Sequence, residues 1–104
     1  TSPAMQSYAD LTEFIIRYPE SEYIDAARER LIFLRNLIAS SELDGAEYYM
    51  KRGAYLAAVN RANYVLKNIP NSTERERALR ILKEAYKQLG YDGYAEKISS
   101  FEAN

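Results

Sequence analysis

The side chains able to do chemistry in this sequence are carboxylates, hydroxyls, phenols and guanidinia, with no histidine and no cysteine among them. The commonest general base, the commonest metal ligands and the thiolate nucleophile are therefore missing. Only a carboxylate pair remains as a catalytic device, and none stands apart from the charged helix faces. No catalytic residue, metal site or cofactor is expected. Recognition is better supplied. Arg61 follows Asn60, and the neighbours Ala58, Val59 and Ala62 point to a core, which turns Asn60, Arg61 and Tyr64 outward. A planar guanidinium beside a stackable ring is enriched at interfaces, although an ordinary solvated face carries the same pattern. Arg52 closes a long helical pattern, where a cation either complements the helix dipole or binds a partner. Of the pair Tyr48-Tyr49, Tyr49 falls on the core register and Tyr48 on a concave surface. Glu42 lies on the apolar stripe Leu34, Ile38, Ala46, Tyr49. A carboxylate buried there must be paired or hydrogen-bonded, so a structural link to a neighbouring Tyr or Arg is expected.

A formal charge of −1, with no run of like charge, lacks the electrostatic footprint of a nucleic-acid binder. An apolar fraction of 47% against 28% charged residues belongs to a folded chain rather than a disordered one. No apolar stretch approaches the length needed to cross a membrane. The 104 residues carry no signal sequence and open almost directly on a helical pattern, Ala4, Tyr8, Leu11, Ile15, Tyr18. They read as one domain at most, excised from something longer.

Helical periodicity covers nearly all of it. A first helix over 4–18 stops at Pro19, whose ring clashes with a further turn. Ser21 offers an N-cap, and a single long helix follows over 22–52, ending before Gly53. Ser40, Ser41 and Gly45 are weak formers that could kink it. A third helix carries Tyr55, Ala58, Val59, Ala62, Val65, Leu66 and Ile69 on one face and ends at Pro70. Thr73 and Glu76 have capping-box spacing for a fourth helix with Leu79, Leu82, Ala85, Tyr86 and Leu89, stopped by Gly90. Asp92 then caps a short fifth helix.

Two stretches repeat. Tyr49, Gly53 and Ala58 share their internal offsets with Tyr86, Gly90 and Ala95, four residues and then five. Those offsets resemble the tetratricopeptide unit, a helix–turn–helix of about 34 residues. Its aromatic sits in the first helix, glycine makes the turn, alanines admit close approach and proline ends the second helix. A generic helical bundle using Gly and Pro as stops is the alternative. Pro19 and Pro70 lie 51 residues apart, about 17 more than one repeat allows. The excess is itself helical and adds about 25 Å to one helix. The expected fold is therefore all-α and tetratricopeptide-like, an α-solenoid of five helices with one overlong. Its organisation is a single domain over 1–104: a repeat end at 4–19, the overlong helix with its repeat at 20–70, and a terminal repeat at 71–104.

The irregularity carries a more specific resemblance. Tyr18-Pro19-Glu20-Ser21-Glu22-Tyr23, then Asp25-Ala26, Arg30-Leu31 and Leu34, resemble the BamD (ComL, YfiO) family of outer-membrane assembly lipoproteins. So do Glu42, Ala46, Tyr48-Tyr49, Arg52-Gly53-Ala54-Tyr55, Ala58 and Asn60-Arg61. The family patterns are a "YPxSxY" turn into an overlong helix, then "AxYYxxRGAY" and "AxNR". The likeness runs over 4–95 and fades beyond Gly90 into generic repeat sequence. It implies a non-catalytic scaffold at the periplasmic face of the bacterial outer membrane, in the machinery that folds β-barrel proteins. It also implies a lipid anchor on a cysteine that these residues do not contain. The partner it implies is the periplasmic POTRA region of the barrel subunit BamA, together with other subunits of that complex. On this resemblance Arg61 leads the partner-binding residues, with Asn60, Arg52, Tyr64 and Tyr48, while Glu42, Gly53, Ala58 and Tyr49 are structural. The competing expectation is a general tetratricopeptide module of the cell envelope that binds peptides in its groove.

Overall fold

Prolines and glycines set the helix ends. In the computed structural model, which describes residues 2–102, the order is α1 (Pro3–Arg17), α2 (Ile24–Lys51), α3 (Tyr55–Asn68), α4 (Arg75–Gln88) and α5 (Asp92–Glu102). No strand occurs among the described residues, so the fold is all-α. The helix α2 is the longest at 28 residues, continuous through Ser40, Ser41 and Gly45. The chain forms two compact units, residues 1–38 and 39–104, and the division falls inside α2.

In the first unit Pro3 occupies the opening turn of α1, where its missing N–H is no loss. Ser2 caps that helix by accepting the Met5 amide at 3.2 Å. The helix closes at Tyr18, whose amide still reaches the Phe14 carbonyl at 2.8 Å before Pro19 breaks the ladder. The turn corrects one expectation. Ser21 sits three residues ahead of Ile24 and is not its N-cap; its Oγ accepts the Tyr23 amide at 3.1 Å, and its carbonyl accepts the Ile24 amide at the same distance. The two bonds tighten the Pro19–Tyr23 stretch into a turn, which delays the helix. Ala27, Leu34 and Ile38 are the buried apolar residues of this unit.

In the second unit α3 packs on α4 and α4 on α5. The buried faces are Ala39, Leu43 and Ala46 of α2, Ala58, Val59, Ala62, Val65 and Ile69 of α3 and its end, Ala78, Leu79, Ile81, Leu82 and Ala85 of α4, and Ala95 and Ile98 of α5. The α2 stripe thus runs through Leu43, leaving Glu42 at its half-buried edge. On α3 the two alanines of the packed face, Ala58 and Ala62, are fully buried.

The repeat seen in the sequence is a repeated turn. After α2 the Ala54 amide bonds to the Tyr49 carbonyl at 2.9 Å and the Gly53 amide to that of Met50 at 3.1 Å. After α4 the Tyr91 amide bonds to Tyr86 at 2.8 Å and Gly90 to Lys87 at 3.1 Å. Both are Schellman closures, and each needs a left-handed residue, met by Gly53 at φ 75° and Gly90 at φ 83°. The capping box expected at Thr73 and Glu76 shifts instead. Glu74 is the N-cap of α4 and gives no side-chain cap, while Ser72 Oγ accepts the Glu74 amide at 3.2 Å. Ser72 is buried and its own amide bonds the Ile69 carbonyl, so the turn after Pro70 is built around Ser72.

Candidate interaction site

The last two turns of α2 and the middle of α3 bring the expected recognition residues together. Tyr48 and Tyr49 are adjacent on α2, with ring centroids 5.7 Å apart and planes at 69°, an edge-to-face pair. Arg52, four residues after Tyr48, lays its guanidinium 5.2 Å from the Tyr48 ring centre and donates from Nη1 to the Tyr48 hydroxyl at 2.9 Å. From α3, Arg61 stands 5.5 Å from the Tyr49 ring centre and donates from Nη1 to Glu42 Oε2 at 3.4 Å. The result is a continuous array, Arg52, Tyr48, Tyr49, Arg61, in which each cation faces a ring. Such contacts contribute about 0.5–1 kcal/mol each at exposed sites. Tyr48 keeps 54% of its surface exposed and Tyr64 36%.

Arg61 is not the free outward side chain its register implies. Its guanidinium folds back across α2, because Glu42, Gly45 and Tyr49 recur at helical spacing and form a seat for it. Nη1 is nevertheless its sole nitrogen with an acceptor among the described residues, and the side chain remains 42% exposed. The Nε–Nη2 edge is open. Asn60 is exposed beside it. Tyr64 accepts at its carbonyl from Asn68 Nδ2 at 3.1 Å.

A second arginine escaped the sequence reading. Arg77 of α4 donates from Nη2 to Asp44 at 2.7 Å and from Nε to Glu47 at 3.0 Å, with Glu74 at 3.6 Å from Nη1. The hydrogen bond from Arg77 holds the Glu47 carboxyl below its ordinary value, and its two acceptors push the Arg77 guanidinium further up. Arg77 comes from another helix, so only the Glu74–Arg77 spacing on α4 was visible beforehand. Gly45 was visible only as a weak helix former. Among the described residues no group of three acidic side chains is placed to hold a metal ion, and no helix is long and apolar enough to cross a membrane.

The array lies within a long family match. The sequence profile of the YfiO outer membrane lipoproteins covers residues 1–100, which includes all five helices up to the last turn of α5. The chain belongs to this family. Among YfiO relatives, the outer membrane protein assembly factor BamD of Vibrio cholerae is 35% identical over 95 residues, 91% of this chain and 39% of that protein. The factors of the same name from Neisseria meningitidis serogroup A and Xylella fastidiosa are 39% and 38% identical over 85 and 89 residues. These cover 82% and 86% of this chain, and 32% and 30% of the relatives. The chain therefore spans about a third of the length of the YfiO relatives it matches.

Proposed function

We infer that this chain is the partner-docking part of a non-catalytic scaffold that assembles β-barrel proteins at the periplasmic face of the bacterial outer membrane. Its relatives are named as assembly factors for outer-membrane proteins and not as enzymes. The partner in this reading is the POTRA region of BamA, with membrane attachment through a lipid anchor outside these residues. The observation that carries it is Arg61, a half-exposed guanidinium held by one carboxylate oxygen and one ring, with its bidentate edge uncommitted. Such an edge matches a partner carboxylate through two parallel hydrogen bonds, which lysine cannot reproduce. Arg52 and the exposed Tyr48 flank it as further contact surface, with Asn60 and Tyr64 on the α3 side.

Binding of the purified POTRA region, measured by titration, tests the reading. Removing one member of a desolvated charge pair costs about 2–5 kcal/mol. Arg61→Glu is expected to weaken binding by well over tenfold, Arg61→Lys by less, and a charge reversal on the partner to restore part of the loss. If Arg61→Glu binds like wild type while Tyr48→Ala does not, the groove is the interface and the general peptide-binding module replaces this reading.

A further inference from the structure

Gly45 is an interior residue of the long helix α2 (Ile24–Lys51), more than a turn before the helix end and away from any proline. Glycine weakens a helix interior, and its φ here is ordinary, so no backbone geometry explains it. Its surroundings do. A Cβ built at this position would lie 3.1 Å from Arg61 Nη1 and 3.6 Å from Arg61 Cζ, and no other atoms approach it. On one side of that gap Glu42 Oε2 accepts from the same Nη1, and on the other the Tyr49 ring faces the guanidinium. The guanidinium therefore lies over the space a side chain at Gly45 would take, between an acid one turn before and a ring one turn after.

We propose that Gly45 is a positioning residue: the absent side chain makes the seat on which Arg61 is held with its Nε–Nη2 edge presented to the partner. The proposal rests on the docking reading above and deepens it. Without a seat, a long arginine samples many rotamers and a docking carboxylate must order it on binding. With one, Nη1 is fixed by Glu42 and the remaining donors are aimed before the partner arrives. A methyl group at 3.1 Å forces the guanidinium to lift by a few tenths of an ångström, and a branched side chain evicts it. The helix itself gains from either replacement of glycine by alanine or, less so, by valine.

Two readouts on the same chain test this. In binding to the POTRA region, Gly45→Ala is expected to weaken affinity about threefold and Gly45→Val about tenfold, about 1.4 kcal/mol, while the melting temperature of Gly45→Ala does not fall. In an Arg61→Ala background neither substitution should weaken binding further. By NMR, the Arg61 δ-methylene and Nε–H resonances, shifted by the Tyr49 ring, should move toward free-chain positions in Gly45→Val. Wild-type affinity in Gly45→Val overturns the proposal, as does an equal loss in the Arg61→Ala background, which would place Gly45 itself against the partner. Should Arg61→Ala bind like wild type, the docking reading falls by itself. The NMR arm then decides the seat alone, and unmoved Arg61 resonances in Gly45→Val overturn it.

Discussion

Arg61 on α3 and Arg77 on α4 reach acids only two residues apart on α2, Glu42 and Asp44, yet their settings differ in kind. Arg77 is 20% exposed and meets three carboxylates, at 2.7, 3.0 and 3.6 Å. All three of its nitrogens face acids, with hydrogen bonds from Nε and Nη2 and an ion pair at Nη1. Arg61 is 42% exposed and meets one oxygen at 3.4 Å, beside a ring and over the space a side chain at Gly45 would take. A guanidinium so committed has little left to offer a partner and fixes α4 to α2. An undersaturated one that is still held in place is suited to docking. The difference separates, inside one unit, a guanidinium committed to carboxylates of the fold from one that keeps donors to spare, and the docking proposal rests on the second.

The sharpest break in that comparison is Arg77→Ala. Hydrogen bonds to charged groups contribute about 1.5–3 kcal/mol each when both partners are partly withdrawn from water. Two of the acids here stay well exposed and can rehydrate, Asp44 at 70% and Glu47 at 48%. A loss near the low end, about 2 kcal/mol in total, is expected in urea unfolding, with POTRA binding unchanged once the chain is folded. An Arg77→Ala variant of wild-type stability that binds poorly would exchange the two roles.

Acid titration gives a second separation. The Glu47 carboxyl lies below its ordinary 4.5 because Arg77 donates to it in the folded state. Between that depressed value and 4.5 the unfolded chain binds more protons than the folded one, so stability rises with pH across the window. The contribution is fully present above pH 4.5 and is lost as pH falls through the folded value. Arg77→Gln should therefore flatten the acid limb of stability below pH 4.5 and leave the neutral plateau with its pH-independent loss. Unfolding curves at several acidic pH values check this, and an acid limb as steep as in wild type would show that Arg77 does not govern Glu47.

How much of this was legible in the sequence follows from which forces act locally. Pro19, Gly53, Pro70 and Gly90 placed the helix ends because each acts through its own backbone. The repeat was readable for the same reason, since Tyr49-Gly53-Ala58 and Tyr86-Gly90-Ala95 encode one closure twice. The caps expected at Ser21 and Thr73 differ in the structure, because the Ser21 and Ser72 hydroxyls each take an amide two residues on, inside the turn. Tyr48, Tyr49, Arg52 and Arg61 could be named individually. Their stacking into one array depends on how α3 crosses α2, which periodicity does not specify. Arg77 is not legible as a network in the sequence, because the two acids it hydrogen-bonds lie on another helix, some thirty residues away. Gly45 reads in the sequence as a weak helix former, and the closeness of Arg61 to it is set by another helix.

The smallest expected effect is the most informative about Arg61. A half-exposed ion pair at 3.4 Å, screened by water and opposed by side-chain entropy, contributes little to folding. The ring contact to Tyr49 adds a comparable amount. Arg61→Ala should accordingly destabilise the chain by about 0.5 kcal/mol, a quarter of the Arg77 effect, and Glu42→Gln by no more. Because the two residues share one contact, their double variant should lose less than the sum of the single losses. Chemical denaturation of the four proteins under identical salt measures the cycle. A loss for Arg61→Ala as large as for Arg77→Ala would mean that Arg61 is committed to the fold as fully as Arg77. Its weakened binding would then report a damaged helix packing rather than a missing contact. A small loss, joined to a large fall in affinity, is what a recognition arginine held ready on a structural seat must give.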